Sequence, residues 1–318
     1  MTIQIKQLRA QVEPEQAGQR LDQALAKLFP DYSRSRLQQW VKEGLVKVDD
    51  QQICRPRDKV MGGEQVELEA RMEEQVECNP QSIPLDLIFE DEQLLVINKP
   101  AGLVVHPAVG NRDGTLQNAL LNHDPNLIQL PRAGIVHRLD KETSGLLVVA
   151  RTPMAHKTLV EQLQAREVKR EYRAIAKGVL VAGGTVDAPI GRHPVNRVKQ
   201  AVVPGGKSAI THYRVLERFA HHSYLRVNLE TGRTHQIRVH MAHIKHALVG
   251  DPVYGGRLQM PAGASPELQN ALRKFKRQAL HARRLGLKHP ASDEWYEWEV
   301  PVPQDMAELL EVLRMDAD

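Results

Sequence analysis

The sequence predicts an α+β fold, with a small N-terminal domain and a larger domain whose mixed, largely antiparallel β-sheet is flanked by helices and loops. The chain has 318 residues, a length that favours about two domains. In the larger part, strand-like apolar runs outnumber helical patterns, and most gaps between them have the length of hairpin connections. A doubly wound parallel sheet would instead need helical crossovers between its strands.

Two amphipathic helices followed by short strands make up the first predicted domain, residues 1–75. Between residues 18 and 28 the apolar side chains recur at the spacing of one helix face, and Pro30 ends that helix. Ser33 is placed to cap a second helix, and Gly44 lies just past its end. Alternating apolar residues then predict small strands, so this stretch is expected to fold as a compact unit.

Charge is unevenly distributed along the chain, although the net formal charge is only +4. Arg34, Arg36 and Lys42 lie on the polar side of the second predicted helix. Residues 61–92 contain ten acids and one basic residue, whereas residues 269–289 contain seven basic residues and no acid. Basic patches separated by an acidic stretch suit a protein that holds a polyanion in one region. Unrelated solvated faces would give the same pattern.

A linker is predicted at residues 76–86, within the acidic stretch, and the second domain is predicted to span residues 87–318. Strands are predicted at residues 87–90, 94–100, 145–151, 171–177, 210–216, 224–230 and 295–300. Helices are predicted at residues 153–167, 234–246 and 303–315, the first of them opening with a proline. The second domain is thus expected to carry most of the strands.

Several classes of protein do not fit this sequence. The two cysteines, Cys54 and Cys78, lie in neither a CxxC pair nor a zinc-ligand spacing, which argues against a disulfide scaffold or a structural metal. The first fourteen residues lack the apolar core of a signal peptide, and the longest apolar runs are too short to span a bilayer. A cytoplasmic protein is expected.

A dense polar turn lies between two apolar segments at residues 134–150, and we predict that both segments are strands. The turn contains His137, Arg138 and Asp140. A carboxylate with cations nearby stays ionised and can act as a nucleophile. A charged hairpin tip with local ion pairs would have the same composition, so these residues alone leave both interpretations open.

Five segments in a fixed order resolve this ambiguity. They are residues 98–107 (NKPAGLVVHP), 137–145 (HRLDKETSG), 169–174 (KREYRA), 231–240 (TGRTHQIRVH) and 250–255 (GDPVYG). In this order they closely resemble the motifs of the RluA family of pseudouridine synthases, and the stretch before them resembles the S4 RNA-binding domain. The resemblance extends over nearly the whole chain and implies the pseudouridine synthase fold.

The resemblance also implies roles for individual residues. Asp140 matches the family's catalytic aspartate, which attacks either C1′ of the ribose or C6 of the uracil. Tyr172 matches the tyrosine that stacks on the target uracil, where its hydroxyl can assist removal of the C5 proton. Arg238 matches the arginine that pairs with the catalytic carboxylate. Arg138 matches an arginine that fills the space left by the extruded base.

Further contacts to RNA are expected from His137, Arg233, His235 and Gln236, and from Arg34, Arg36 and Lys42 of the S4-like domain. The reaction rearranges one bond without oxidation or added groups, so neither a cofactor nor a metal is expected. Four histidines between residues 235 and 246 raise the alternative of a metal hydrolase. The segment lacks the glutamate of an HExxH motif, so packing and polar contacts are preferred for them.

The expected partner is ribosomal RNA, in the large ribosomal subunit or its precursor, and the expected oligomeric state is a monomer. The resemblance implies that the target uridines lie in the helix 69 stem-loop of 23S ribosomal RNA. The same motifs occur in family members that modify other ribosomal or transfer RNA sites, which remain an alternative. A non-catalytic assembly factor of the S4 type is a second alternative, and a carboxylate-dependent glycosidase, which would need a second positioned carboxylate, is a third.

Overall fold

The chain divides into two compact units, residues 1–77 and 78–318, in a computed structural model that describes residues 3–30, 32, 34–73, 78–108, 110–196 and 199–316. Ser33, predicted as a helix cap, lies outside the described residues, and so do residues 74–77, which include the start of the predicted linker. Among the described residues, no helix combines the length and the apolar character that crossing a membrane requires.

The first unit packs two helices against a four-stranded antiparallel sheet. Its elements are β1 (Ile3–Gln11), α1 (Leu21–Leu28), α2 (Arg34–Lys42), β2 (Val46–Val48), β3 (Gln51–Ile53) and β4 (Gln65–Glu73). The strand order is β1-β4-β2-β3, and Leu21, Leu25 and Leu37 contribute to its core. Both predicted helices are present. Strand β1 was not predicted, although polar and apolar residues alternate along much of it.

The second unit is built on a nine-stranded sheet flanked by helices. The strands of this unit, nine in the large sheet and two in a separate hairpin, are β5 (Leu87–Glu90), β6 (Leu94–Lys99), β7 (Ser144–Ala150), β8 (Lys169–Lys177), β9 (Gly184–Asp187), β10 (Ile190–Arg192), β11 (Gln200–Val202), β12 (Ile210–Arg218), β13 (His222–Leu229), β14 (Leu280–Lys288) and β15 (Trp295–Glu299). Its helices are α3 (Leu116–His123), α4 (Pro153–Gln164), α5 (Gln236–His243), α6 (Pro266–Lys274) and α7 (Gln304–Met315).

The order in the large sheet is β5-β6-β7-β14-β8-β13-β12-β9, with β15 also paired to β14, and β10 and β11 form a separate hairpin. Every pairing in the large sheet is antiparallel except that between β7 and β14. This confirms the predicted mixed, largely antiparallel sheet. Helices cover both faces of its centre, because Leu147 packs in the same cluster as residues of α3 and α5, whereas Leu146 packs with α4.

Only one of the two strands predicted around the polar turn is present. Residues 144–150 form β7, but residues 131–134 form a turn in which Arg132 and Ala133 have positive φ, and only Ile135 then bridges to Val149. Gly134 has a φ of +80°, and a Cβ there would lie 1.9 Å from the carbonyl oxygen of Ala150. The backbone therefore approaches β7 too closely and turns too sharply to extend as a strand.

The basic segment at residues 269–289 forms α6 and the central strand β14, and its charges are largely neutralised by acids from neighbouring elements. Arg277 donates two hydrogen bonds to Asp305, and Arg283 and Arg284 both pair with Glu299. Most of this stretch is therefore part of the scaffold. Of the two interpretations left open for this segment, the ion pairs of Arg283 and Arg284 favour charges that belong to the scaffold.

Candidate active site

A cavity of about 630 Å³ opens in the second unit where three segments of the chain converge. These segments are the polar turn before β7, the end of α4 together with the start of β8, and the loop between β13 and α5. Its lining includes Asp140, Tyr172, Arg238, Arg138, His137, Arg233, His235 and Gln236. The structure thus brings together every site residue predicted in the second unit.

Asp140 is held at the cavity by the turn that leads into β7. The backbone N–H of Thr143 donates to the carbonyl of Asp140 at 3.0 Å. Gly145 follows at the start of β7, where a Cβ would lie 2.2 Å from the carbonyl oxygen of Ala282 in β14. Only glycine permits this approach, so the close pairing of β7 with β14 fixes the point from which the turn projects.

Arg238 bridges two carboxylates, those of Asp140 and Asp251. Its Nη1 donates to Oδ2 of Asp140 at 3.0 Å, while its Nε and Nη2 donate to Asp251 at 2.7 and 2.9 Å. Asp251 in turn accepts the backbone N–H groups of Val253 and Tyr254. The bidentate contact fixes the plane of the guanidinium, and an N–H of Nη1 then orients Asp140.

Electrostatics support this arrangement. Burial opposes the charge of both partners, but the hydrogen bonds between them outweigh it, so the pKa of Asp251 is lowered and that of Arg238 is raised. Both groups are therefore charged at neutral pH. The Arg238 guanidinium also lies 5.1 Å from the centre of the Tyr254 ring, which limits its movement further.

His235 caps α5 in a left-handed conformation, with a φ of 57°. Its Nδ1 lies 2.8 Å from the hydroxyl of Tyr254, and its Nε2 lies 3.8 Å from Oδ1 of Asp140. The second distance is too long for a hydrogen bond. Burial lowers the pKa of His235 despite the nearby Asp140, so the ring is neutral at neutral pH and the contact is not an ion pair. A backbone held in this region marks a constrained site.

Tyr172 lies on β8 with 5% of its surface exposed, and its hydroxyl has no hydrogen-bond partner among the described residues. Burial raises its pKa, Arg170 lowers it, and Asp140 raises it further. The phenol is therefore protonated at neutral pH. A neutral, unpaired hydroxyl on the cavity wall remains available to a bound base.

His137 and Gln236 use their polar atoms within the protein. Nε2 of His137 accepts the N–H of Val148 at 3.1 Å, and burial lowers the pKa of His137 to about 3, which leaves a neutral ring. The amide of Gln236 accepts from Thr231 and Arg233 and donates to Ile210 and Thr211. Its hydrogen-bonding capacity is thereby filled, so the geometry favours holding the loop before α5 over contacting RNA.

Arg138 and Arg233 are more exposed, and both line the cavity. Nε of Arg233 donates to the carbonyl of Ser208 at 3.1 Å, which leaves its terminal nitrogens for a ligand. In the first unit, Arg34 and Arg20 both donate to the buried carboxylate of Asp22. The exposed Arg34 is thus partly committed to the fold. Lys42 is exposed, and the guanidinium of Arg36 lies 5.8 Å from the centre of the Trp40 ring.

Lys99 is a residue of this region to which the sequence assigned no role. It is fully buried, and its Nζ donates to the carbonyls of Pro100, Leu103 and Lys141 at 2.7, 2.9 and 3.0 Å. Burial lowers the pKa of Lys99 to about 7. Three acceptors match the three N–H bonds of an ammonium, so the contacts favour the charged form. One sign that Lys99 is unusual was present in the sequence, because a lysine ends the largely apolar strand β6.

We predict that Lys99→Met lowers turnover about 10- to 100-fold, because removing the hydrogen bond to Lys141 loosens the Asp140 turn. Unpaired carbonyls should also cost roughly 1–3 kcal/mol of stability. Single-turnover kinetics at a temperature where the variant is fully folded, together with urea unfolding, would measure both effects. Lys141→Met changes the neighbouring, exposed lysine and serves as the matched control. Equal turnover in wild type and Lys99→Met would contradict the prediction.

The chain resembles known proteins along nearly its whole length. The profile of the RNA pseudouridylate synthase family matches residues 93–243, and that of the S4 domain matches residues 19–66. The chain is 59% identical over 310 residues to the ribosomal large subunit pseudouridine synthase D of Escherichia coli K12, covering 98% of this chain and 95% of that protein. It is 59% identical over 312 residues to the protein of the same name from Pseudomonas aeruginosa, with coverages of 98% and 97%.

The chain belongs to the RNA pseudouridylate synthase family. Solved structures agree: human RNA pseudouridylate synthase domain containing 4 matches at a TM-score of 0.57 and 26% identity, over 72% of this chain and 92% of that one. The expected family and fold are therefore confirmed, and this pseudouridine synthase carries the S4 domain that was predicted. Among the described residues, no group of three or more His, Cys, Asp or Glu side chains is placed to hold a metal ion.

Proposed function

We propose that this pseudouridine synthase isomerises uridines in 23S ribosomal RNA, in the helix 69 stem-loop, with Asp140 as the nucleophile. The observation that carries the proposal is the hydrogen bond from Arg238 to Asp140 at 3.0 Å, on a cavity that Tyr172 also lines. Identity of 59% to proteins named ribosomal large subunit pseudouridine synthase D supports the choice of RNA. The motif resemblance supports the choice of stem-loop.

The chemistry requires an ionised carboxylate, room for the base to turn, and a proton acceptor. Asp140 attacks C1′ of the ribose or C6 of the uracil, the bond between C1′ and N1 breaks, and the uracil rotates. A bond between C1′ and C5 then forms, and Asp140 is released. The proton on C5 passes to water, while N1, which kept the electron pair of the broken bond, takes up a proton from water. The product has the atoms of the substrate, so the reaction needs no cofactor.

The remaining residues prepare the base for this step. Uracil inside a stem or stacked loop is out of reach of a carboxylate, so the target nucleotide must be extruded into the cavity. Arg138, exposed at the cavity and also lining the smaller pocket beside it, is placed to fill the vacated position. Tyr172 offers its ring to the extruded uracil and its neutral hydroxyl to the C5 region.

The proposal is tested by release of tritium from ribosomal RNA labelled at C5 of uridine, and by mapping pseudouridines in a strain that lacks this protein. We expect tritium release, and loss of the modifications in helix 69 that the intact gene restores. If pseudouridine were lost at another ribosomal or transfer RNA site, the proposed substrate would be wrong and the proposed reaction would stand. Absence of release with every ribosomal RNA would leave only the role of an RNA-binding assembly factor.

The chain is proposed to act in the cytoplasm, as a monomer, on the large ribosomal subunit or its precursor, without a metal. We propose that the chain has two domains, residues 1–75 and 87–318, which are joined by a linker at residues 76–86. Part of that linker associates with the second unit, since Asn118 donates to the carbonyl of Asn79 at 2.8 Å.

We predict that replacing Arg36 and Lys42 together by glutamine weakens RNA binding and flattens its salt dependence. Each phosphate that the protein no longer neutralises should lower the slope of log K against log salt by about 0.7–0.9. Filter binding at several salt concentrations measures the slope. Lys59→Gln combined with Lys27→Gln removes the same charge elsewhere in the same unit. An unchanged slope in the Arg36 and Lys42 variant would exclude these two side chains as phosphate ligands.

A further inference from the structure

Arg170 is a buried cation on the wall of the cavity with no anionic partner among the described residues. It is 8% exposed, and its Nε is buried without a hydrogen-bond partner. Its one hydrogen bond within the described part of the chain runs from Nη2 to the carbonyl of Glu230 at 3.3 Å. A guanidinium has five N–H donors, so most of its capacity is unused.

The strand geometry explains why no carboxylate reaches it. Arg170 and Tyr172 are two residues apart on β8, so they face the same side, towards the cavity. Glu171 faces the other side and is bound by Arg173 at 2.6 Å. The carboxylates nearest the cavity are also engaged, because Asp140 is bound by Arg238 and Glu230 by Arg166.

The local backbone is arranged to admit the guanidinium. A Cβ on Gly232 would lie 2.7 Å from Nη1 of Arg170, so glycine lets the loop before α5 pass close over the guanidinium without displacing it. Burying a charge without a partner costs free energy, and burial indeed lowers the pKa of Arg170. A residue kept in this state is expected to find its anion in a ligand.

We propose that Arg170 binds the phosphodiester group on one side of the target uridine, inside the cavity. RNA supplies this anion at every nucleotide, whereas the carbonyl oxygens of uracil are neutral and would not compensate a buried charge. Because the guanidinium is held in place before binding, contact with the phosphate positions the nucleotide for the approach of Asp140. The proposal rests on the proposed function in taking the extruded uridine as substrate.

The test uses the full-length chain and a synthetic stem-loop that contains a uridine shown by mapping to be modified by the wild-type enzyme. A neutral methylphosphonate replaces the phosphodiester on either the 5′ or the 3′ side of that uridine. Arg170→Met removes the charge at similar size, Arg170→Lys retains it, and Arg314→Met removes an exposed arginine that pairs with Glu217. Since the RNA is chosen by the mapping, failure of the proposed substrate would appear there and not in this test.

We expect one of the two neutral linkages to lower wild-type kcat/KM about 10- to 100-fold, the range for a hydrogen bond to a charged group. Arg170→Met should show the same loss on the unmodified RNA and no further loss on that linkage. Arg170→Lys should recover part of the activity. Free Arg170→Met should unfold at the same or a higher temperature than wild type, because an unpaired buried charge is gone, whereas Arg314→Met should behave as wild type on every RNA.

Three results would overturn the proposal. Undiminished sensitivity of Arg170→Met to both linkages would show that the guanidinium contacts neither phosphate. If Arg170→Met unfolded at a lower temperature than wild type and kept a normal kcat/KM, Arg170 would have a structural role only. A shifted pH–rate profile with linkage sensitivity intact would show that Arg170 acts through Tyr172.

Discussion

Asp140→Asn is expected to abolish isomerisation while leaving RNA binding within about twofold of wild type. Loss of a catalytic nucleophile lowers kcat by roughly 10⁴-fold or more in enzymes where it has been isolated. Asparagine has the shape of aspartate and can still accept the hydrogen bond that Arg238 donates at 3.0 Å. The substitution therefore removes the nucleophilic charge without vacating the site, and single-turnover tritium release measures the effect.

Glu142→Gln provides the matched control, because it neutralises another carboxylate of the same turn. We expect it to retain turnover within a few-fold of wild type, since its side chain makes no hydrogen bond among the described residues. Turnover of Asp140→Asn near the wild-type rate would end the assignment of Asp140. Equal losses in both variants would instead indicate that the net charge of the turn matters, rather than one nucleophile.

Strong local patterns made parts of this fold predictable. The strands at 145–151 and 171–177 appear as β7 and β8, within two residues at each end, because both are buried runs with clear boundaries. Strand β14 was missed because charge obscured it: Arg283 and Arg284 look like a basic surface in sequence, yet both pair with Glu299 on β15. Charge patterns along a chain do not reveal which charges meet in space.

The site shows the same division. The motif resemblance assigned Asp140, Tyr172 and Arg238 to one site, although the second partner of Arg238, Asp251, was named only as part of a motif. That Arg170 is buried without an anionic partner among the described residues could not be predicted. It depends on the orientation of β8, which turns Arg170 towards the cavity and Glu171 towards Arg173. Pairing and burial are tertiary properties, and a single sequence records them only through motifs.

Arg238→Met is expected to have the second largest effect, because it disables the site and destabilises the fold together. The side chain of Asp251 is fully buried, and removing its bidentate partner leaves an uncompensated charge. Breaking a buried pair in this way costs about 3–5 kcal/mol. Arg238→Lys keeps the charge but cannot hold Asp251 with two bonds and Asp140 with a third, so we expect turnover to fall about 100-fold.

A split between kcat and KM separates the positioning role from a binding role. If Arg238 acts through Asp140, Arg238→Lys lowers kcat while KM for RNA stays near the wild-type value. Arg284→Lys is the matched control, because Arg284 makes two hydrogen bonds to Glu299 in an exposed pair. Exposed pairs contribute little, so that variant should match wild type in kcat and in urea midpoint. A rise in KM without loss of kcat would assign Arg238 to RNA binding.

The pH dependence of stability gives an independent check with a definite sign. In wild type the pKa of Asp251 is lowered, because its hydrogen bonds with Arg238 outweigh burial. Its contribution to stability is therefore present above the ordinary aspartate pKa of about 4 and is lost as the pH falls below it. Arg238→Met removes the strongest opposition to burial and leaves only the N–H groups of Val253 and Tyr254 against it, so we expect the pKa of Asp251 to rise. Arg238→Met should then gain stability relative to wild type as the pH falls from 7 to 5. Urea unfolding across that range measures the difference in unfolding free energy between the two proteins. A difference that stayed constant would refute the buried pair as the source of the lost stability.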